Sequence, residues 1–161
     1  MRFLALLLAA APLLGCINTD PAVFVDPTLS APTATVTSAP LGTTLSGSFD
    51  LDLHLGPRAS GPSTVTLGEF SIEDAAQTAP IGSSLTVASS TTFPVTVQLD
   101  SDVDADFTFG IGADGAGTVT STVATQLCAA AGVVISGTIH DSLMDTSTPT
   151  VSPVFHPSGC P

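Results

Sequence analysis

The chain has 161 residues, of which 14 are acidic and only 2 are basic, and its formal net charge at pH 7 is −12. Proteins neutralise nucleic-acid phosphates with clustered Lys and Arg, so this composition argues against a nucleic-acid partner and against attraction to anionic lipid headgroups. The sequence contains no Trp and no Tyr, which removes the usual stacking platform of a sugar-binding site.

A short apolar segment, Phe3–Leu14, follows the positive charge of Arg2 and is interrupted only by Pro12. Its 12 residues are too few to cross a bilayer, which needs about 17–25. A basic residue followed by a short apolar segment is typical of a secretory signal peptide. We therefore predict a signal peptide over residues 1–15.

The apolar segment ends in Leu13, Leu14, Gly15 and Cys16. These residues resemble the lipobox of bacterial lipoproteins, and the resemblance covers only the first 16 residues. It implies cleavage before Cys16, a lipid on its thiol and an acyl chain such as palmitate on the new amino terminus. The expected location is the bacterial cell envelope, and Ile17 favours the outer membrane where a cell has two. An ordinary secreted protein cut nearby is the alternative.

The composition changes along the 146 residues that remain after cleavage. They keep Arg58 as their single basic side chain. Residues 16–45 are rich in Thr, Ser and Ala and contain Pro21, Pro27, Pro32 and Pro40. Such composition is typical of an extended linker, so we predict a disordered tether over 16–45 that carries the lipidated cysteine and lifts the domain off the membrane. The folded domain is predicted over 46–161.

From residue 46 onward, apolar and polar residues alternate with a period of two, as expected of half-buried strands. The strongest example has apolar side chains at Phe49, Leu51, Leu53 and Leu55. Similar segments follow at 63–72, with a bulge near Gly68, and then at 84–88, 93–99, 99–111, 118–127 and 131–139. No convincing helical segment is visible. We predict an all-β fold, an antiparallel β-sandwich or a small partly open barrel.

Three glycines, Gly110, Gly112 and Gly115, match the G-x-G-x-x-G pattern of dinucleotide-binding proteins. That pattern binds a pyrophosphate only where a strand precedes it and a helix begins in it. The residues after Gly115 are strand-like, and Asp114-Gly115 is typical of a β-hairpin turn. We therefore predict no nucleotide site.

Four carboxylates alternate along the longest predicted strand, at Asp100, Asp102, Asp104 and Asp106. An EF-hand loop that started at Asp100 would need Gly and Glu where Ala105 and Ile111 stand. Neighbouring carboxylates repel each other, so these side chains are expected to face water or a cation. A solvated face is one interpretation. A weak Ca²⁺ site shared with Asp50 and Asp52 is the other.

Cys128 and Cys160 remain as an even pair once Cys16 is assigned to lipid. Outside the cytosol such a pair is expected to form a disulfide. A metal site that combines the two thiolates with His140 and His156 is the alternative.

Catalytic motifs are missing from the sequence: there is no Lys, no G-x-S-x-G and no H-E-x-x-H. The first functional hypothesis is therefore a non-catalytic, lipid-anchored β domain that is structural or binds an envelope protein. The second is a metal-dependent or hydrolytic envelope enzyme built from acidic side chains and His54, His140 or His156. A calcium-dependent adhesion module is the third.

Overall fold

The computed structural model describes residues 20–39, 42–111 and 118–160, and the predicted signal peptide, Cys16, Gly112 and Gly115 lie outside them. The strands are β1 (Asp26–Ala39), β2 (Gly42–Leu55), β3 (Ser63–Asp74), β4 (Leu85–Ser89), β5 (Val95–Val97), β6 (Ser101–Ile111), β7 (Thr118–Val119), β8 (Val133–Asp141) and β9 (Thr146–Val151). Helix α1 (Ser121–Ala129) lies between β7 and β8. No helix in these ranges has the length and apolar character needed to span a membrane.

The strands form two sheets whose named strands all pair antiparallel. Sheet I has the order β1-β2-β6-β4, with β7 also paired to β2, and sheet II has the order β5-β3-β8-β9. Two separate sheets make this a sandwich and not a barrel. The predicted all-β antiparallel sandwich is confirmed.

The core between the sheets contains the apolar side chains of the period-two pattern. In β2, the side chains of Phe49, Leu51, Leu53 and Leu55 are fully buried. The Phe49 ring stacks on Phe107 of sheet I at 5.1 Å between centroids and meets Phe70 of sheet II at 5.3 Å. The contact between Phe49 and Phe70 joins the two sheets, and the polar alternate positions of β2 and β6 are left on the outer face.

Two details of the predicted strands have different outcomes. The bulge near Gly68 is confirmed, because the β3–β8 register shifts between Leu67 and Phe70. The strand predicted over 99–111 begins two residues later than expected, and Leu99, which precedes it, is 42% exposed. Asp100 has a positive φ of 54°, so the chain turns there before β6 begins at Ser101.

The predicted tether is wrong for residues 26–39 and 42–45, which belong to β1 and β2. β1 pairs with β2 from Asp26 opposite His54 to Ala39 opposite Gly42, and it buries Leu29 and Val36. Proline is tolerated in edge strands and at bulges. β1 is an edge strand of sheet I, and its register shifts where Pro32 occurs, between Ser30 and Thr33. The domain therefore begins before residue 46.

The strand predicted over 118–127 is also wrong beyond its first two residues. Helix α1 begins after Thr120, whose side-chain oxygen caps it by accepting from the backbone N–H of Val123. Burial of Leu127 then fixes the helix against the core. The cap and the buried contact outweigh the strand preference of the Thr and Val residues.

A disulfide joins Cys128, near the end of α1, to Cys160, as predicted. The chain just before Cys160 runs along β1: the N–H of Ser158 donates to the carbonyl of Ala34, and the N–H of Val36 donates to the carbonyl of Ser158. Both the disulfide and the backbone pairing therefore hold the C-terminal segment against the sandwich.

Candidate functional site

The outer face of sheet I carries a ladder of opposed acidic side chains. In the β2–β6 register, Asp50 lies opposite Asp106, Asp52 opposite Asp104, and His54 opposite Asp102. Opposite residues of antiparallel strands share a face, so these side chains form a single surface. β1 adds Asp26 opposite His54. We call this surface the acidic face; its carboxylates are those of Asp26, Asp50, Asp52, Asp102, Asp104 and Asp106.

Three of the four calcium candidates, Asp102, Asp104 and Asp106, lie exposed on the acidic face. Asp100 lies outside it, in the turn before β6. Within the described ranges, no three side chains of the His, Cys, Asp or Glu type are grouped so that they could hold a metal ion. The carboxylates of the acidic face are spread along the three strands β1, β2 and β6, and no three of them are grouped at one point.

Asp52 is the least solvated carboxylate of the acidic face. Burial raises its pKa, and the nearby charges of Asp102 and Asp104 raise it further. Its Oδ1 atom is buried and has no hydrogen-bond partner among the described residues. Ionised Asp52 is therefore a source of electrostatic strain in the folded protein.

His54 is the one basic group on the acidic face, and it bridges two carboxylates. Its Nε2 lies 2.8 Å from Oδ2 of Asp20, and its Nδ1 lies 2.5 Å from Oδ1 of Asp102. The hydrogen bonds to Asp20 and then to Asp102 raise the pKa of His54 from 6.5 to about 9. The imidazole is thus positively charged at neutral pH, and it ties a residue outside the sheet to two strands of sheet I.

Asp20 belongs to an N-terminal segment, residues 20–25, that is docked on the sandwich. The N–H of Ala22 and then the imidazole of His54 hold the pKa of Asp20 below its usual range. The segment passes so close to Gly56 that a Cβ there would lie 2.5 Å from the Ala22 carbonyl oxygen. Only glycine fits at such a close backbone approach.

The other end of this segment is held by a buried carboxylate. Asp141, the last residue of β8, is fully buried and accepts hydrogen bonds from the N–H groups of Val25 and Leu143, both at 2.8 Å. It also accepts from the hydroxyl of Ser63 at the start of β3. A buried charge needs such a set of donors, so Asp141 joins the segment to sheet II. We call residues 20–25, with His54 and Asp141, the N-terminal clamp.

The three histidines proposed for an enzyme lie in different parts of the fold. His54 lies on sheet I, His140 on β8 of sheet II, and His156 in the exposed segment after β9. His140 is 4.0 Å from the fully exposed carboxylate of Asp145. The sequence pointed to His54 and Asp52 on one strand but held no signal for the His54–Asp20 or Val25–Asp141 contacts.

The arrangement is suited to holding a chain segment by charge and backbone hydrogen bonds. The imidazole of His54 pairs with the carboxylates of Asp20 and Asp102, and the buried carboxylate of Asp141 accepts hydrogen bonds from backbone N–H groups. The clamp begins four residues after Cys16 in the sequence. Comparison with protein families, with curated proteins and with solved structures finds no match to this chain.

Proposed function

We propose that this protein is a lipid-anchored lipoprotein of the bacterial cell envelope, with a β-sandwich that is structural or binds a partner and is not catalytic. The observation that carries the proposal is the sequence Leu13, Leu14, Gly15 and Cys16 after a short apolar segment. A lipid on Cys16 makes the membrane the first partner of the chain, and acyl chains hold a protein in proportion to the CH₂ groups they bury. Where the cell has two membranes, the outer one is favoured.

Two structural features support an exported, non-catalytic domain. The Cys128–Cys160 disulfide suits an oxidising compartment outside the cytosol. The separation of His54, His140 and His156 over both sheets and the C-terminal segment disfavours a hydrolytic or zinc site built from them. An envelope protein is the partner class that such a location offers.

The test of the anchor is metabolic labelling with radioactive palmitate in bacteria that express the full chain. We expect label on the wild-type protein, and we expect Cys16→Ser to lose both the label and its sedimentation with membranes. The double variant Cys128→Ser/Cys160→Ser is the matched control, since it removes two thiols and should keep the label. Unlabelled wild-type protein, or a Cys16→Ser variant that still sediments with membranes, would refute the anchor.

The partner-binding role is tested by chemical crosslinking in intact cells, followed by recovery of the tagged chain. A reproducible crosslinked envelope protein that is lost with the Cys16→Ser variant is the expected result. Hydrolytic activity or stoichiometric bound metal in the purified protein would instead support the enzyme hypothesis.

A further inference from the structure

We propose that the exposed side chains of Val23, Phe24 and Met144 lie in the zwitterionic headgroup region of the bilayer that holds the Cys16 lipid. The domain then rests on the membrane and is not lifted above it. This inference rests on the proposed function, because the lipid on Cys16 is what brings a bilayer within reach.

The first argument is the length of chain between the anchor and the domain. Asp20 is held by His54 at 2.8 Å, and Cys16 precedes it by only four residues. A fully extended chain spans at most about 3.6 Å per residue, so Cys16 lies within about 14 Å of Asp20. A lipid on Cys16 therefore places the N-terminal clamp at the membrane surface.

The second argument is the apolar surface found there. Val23, Phe24 and Met144 are 40%, 41% and 43% exposed, and all three line one open surface groove together with Pro21 and Thr148. They are half of the six large apolar side chains that are exposed in the described residues. Exposed apolar side chains gathered at one place mark an interaction surface.

The third argument is that the clamp presents this surface in a fixed orientation. Val25 is buried, and its N–H donates to the buried carboxylate of Asp141. Phe24 and Val23, the two residues before Val25, stay on the outside, with 41% and 40% of their surface exposed. Met144 is held near it by the turn after β8, where its N–H donates to the carbonyl of Asp141.

Charge selects the lipid class. Asp26 lines the same groove, and the neighbouring Asp145 has a fully exposed side chain. These carboxylates would be repelled by anionic headgroups. A zwitterionic phospholipid, such as phosphatidylcholine or phosphatidylethanolamine, offers apolar depth without that repulsion.

The experiment uses tryptophan fluorescence, since the native chain contains no Trp and a single substitution gives a unique signal. The full-length protein carrying Phe24→Trp is purified from bacterial membranes and reconstituted in phosphatidylcholine vesicles that contain brominated acyl chains. We expect emission at shorter wavelength and at least a two-fold loss of intensity from bromine quenching.

Val154→Trp is the matched control. Val154 is 56% exposed and lies next to Phe155, which pairs with Val133 at the first residue of β8. Met144 follows the last residue of β8, and eight strand steps separate the two ends by about 27 Å. The indole at position 154 should therefore remain unquenched. Circular dichroism of both variants checks that they fold as the native protein does.

Quenching at position 24 no greater than at position 154, in protein shown by mass to carry lipid, would overturn the inference. So would a shift to shorter wavelength without bromine quenching, which indicates that another protein or a second copy covers the groove. Replacing half of the lipid by phosphatidylglycerol should weaken the quenching; stronger quenching would overturn the zwitterionic assignment.

A second arm separates this inference from the anchor itself. The chain from Cys16 onward, with Cys128 and Cys160 in their disulfide, is coupled through the remaining thiol to a maleimide lipid in the same vesicles. Quenching here, combined with no lipid on the protein from cells, would refute the lipoprotein proposal and support the apolar contact. Lipid on the protein from cells, combined with no quenching in either arm, would support the lipoprotein proposal and refute the apolar contact.

Discussion

The imidazole Nε2 of His54 lies 2.8 Å from the carboxylate Oδ2 of Asp20, across 34 residues of sequence. The contact joins the end of β2 to the segment that leads back to Cys16. The N-terminal segment, residues 20–25, therefore contacts sheet I at the acidic end of β2.

Because of His54, we expect the stability of the folded protein to depend on pH. Its pKa is 6.5 when unfolded and about 9 when folded, so its contribution is complete below pH 6.5 and is lost as the pH rises toward 9 and above. Because the side chain is 36% exposed, solvent screening limits the contribution to below about 1 kcal/mol, a Tm change of a few degrees. Thermal unfolding followed between pH 6 and pH 10 measures it.

The matched variants for that experiment are His54→Gln and His156→Gln. The wild-type Tm should exceed that of His54→Gln at pH 6 and approach it at pH 10, whereas His156→Gln should follow the wild type throughout. Parallel pH profiles for wild type and His54→Gln would contradict the prediction.

For Asp52 we expect the opposite effect, because the charged form of its side chain lowers the stability of the folded protein. Burial and the Asp102 and Asp104 charges raise its pKa above 3.8, so ionisation of Asp52 costs stability as the pH rises through that range. Asp52→Asn should therefore stabilise the protein at pH 7, by about 0.5–1 kcal/mol, and lose this advantage at pH 3. Urea unfolding at the two pH values checks it. The exposed neighbour on the same strand face supplies the control, since Asp50→Asn should change stability less.

We expect a large loss of stability when the buried carboxylate of Asp141 is replaced by an amide. Asp141→Asn puts an NH₂ group, or a weaker neutral acceptor, against the three donors of Ser63, Val25 and Leu143. Leaving such groups unsatisfied in the interior should cost about 2–4 kcal/mol in urea unfolding. Asp145→Asn, four residues away and fully exposed, should be neutral. Equal effects of the two substitutions would show that the buried network does not stabilise the fold.

We expect removal of the disulfide to cause a loss of stability of similar size, because the unfolded chain gains conformational freedom. Cys128 and Cys160 are 32 residues apart, and the loop they close should stabilise the fold by about 3–4 kcal/mol on the chain-entropy model. Cys128→Ser/Cys160→Ser should lower the denaturant midpoint accordingly, and reducing agent should lower the wild type to the same value. A reducing agent that also destabilises the double variant would point to some other target.

The local pattern was sufficient to predict an antiparallel all-β fold and parts of its geometry, and the two separate sheets of the structure then decided for the sandwich over the barrel. The alternation around Phe49 and Leu51 requires one buried face whatever the partner strand is, and the slip between Leu67 and Phe70 predicts a bulge without knowledge of β8. The disulfide followed from the pairing of two cysteines expected outside the cytosol. Each of these properties depends on residues close in sequence or on simple chemistry.

The sequence by itself thus predicted an all-β, acidic, disulfide-linked domain that follows a segment resembling a lipobox. Only the tertiary structure decided that residues 26–39 are an edge strand and that 121–129 are a helix. It also decided that Asp20 and Asp141 hold the N-terminal segment. The physical reason is that local preferences are weak: a proline-rich segment shows no clear pattern, and the strand preference of a Thr-rich segment is small enough to be overridden. The conformation of both is set by the contacts that bury them, and most of those partners lie far away in sequence.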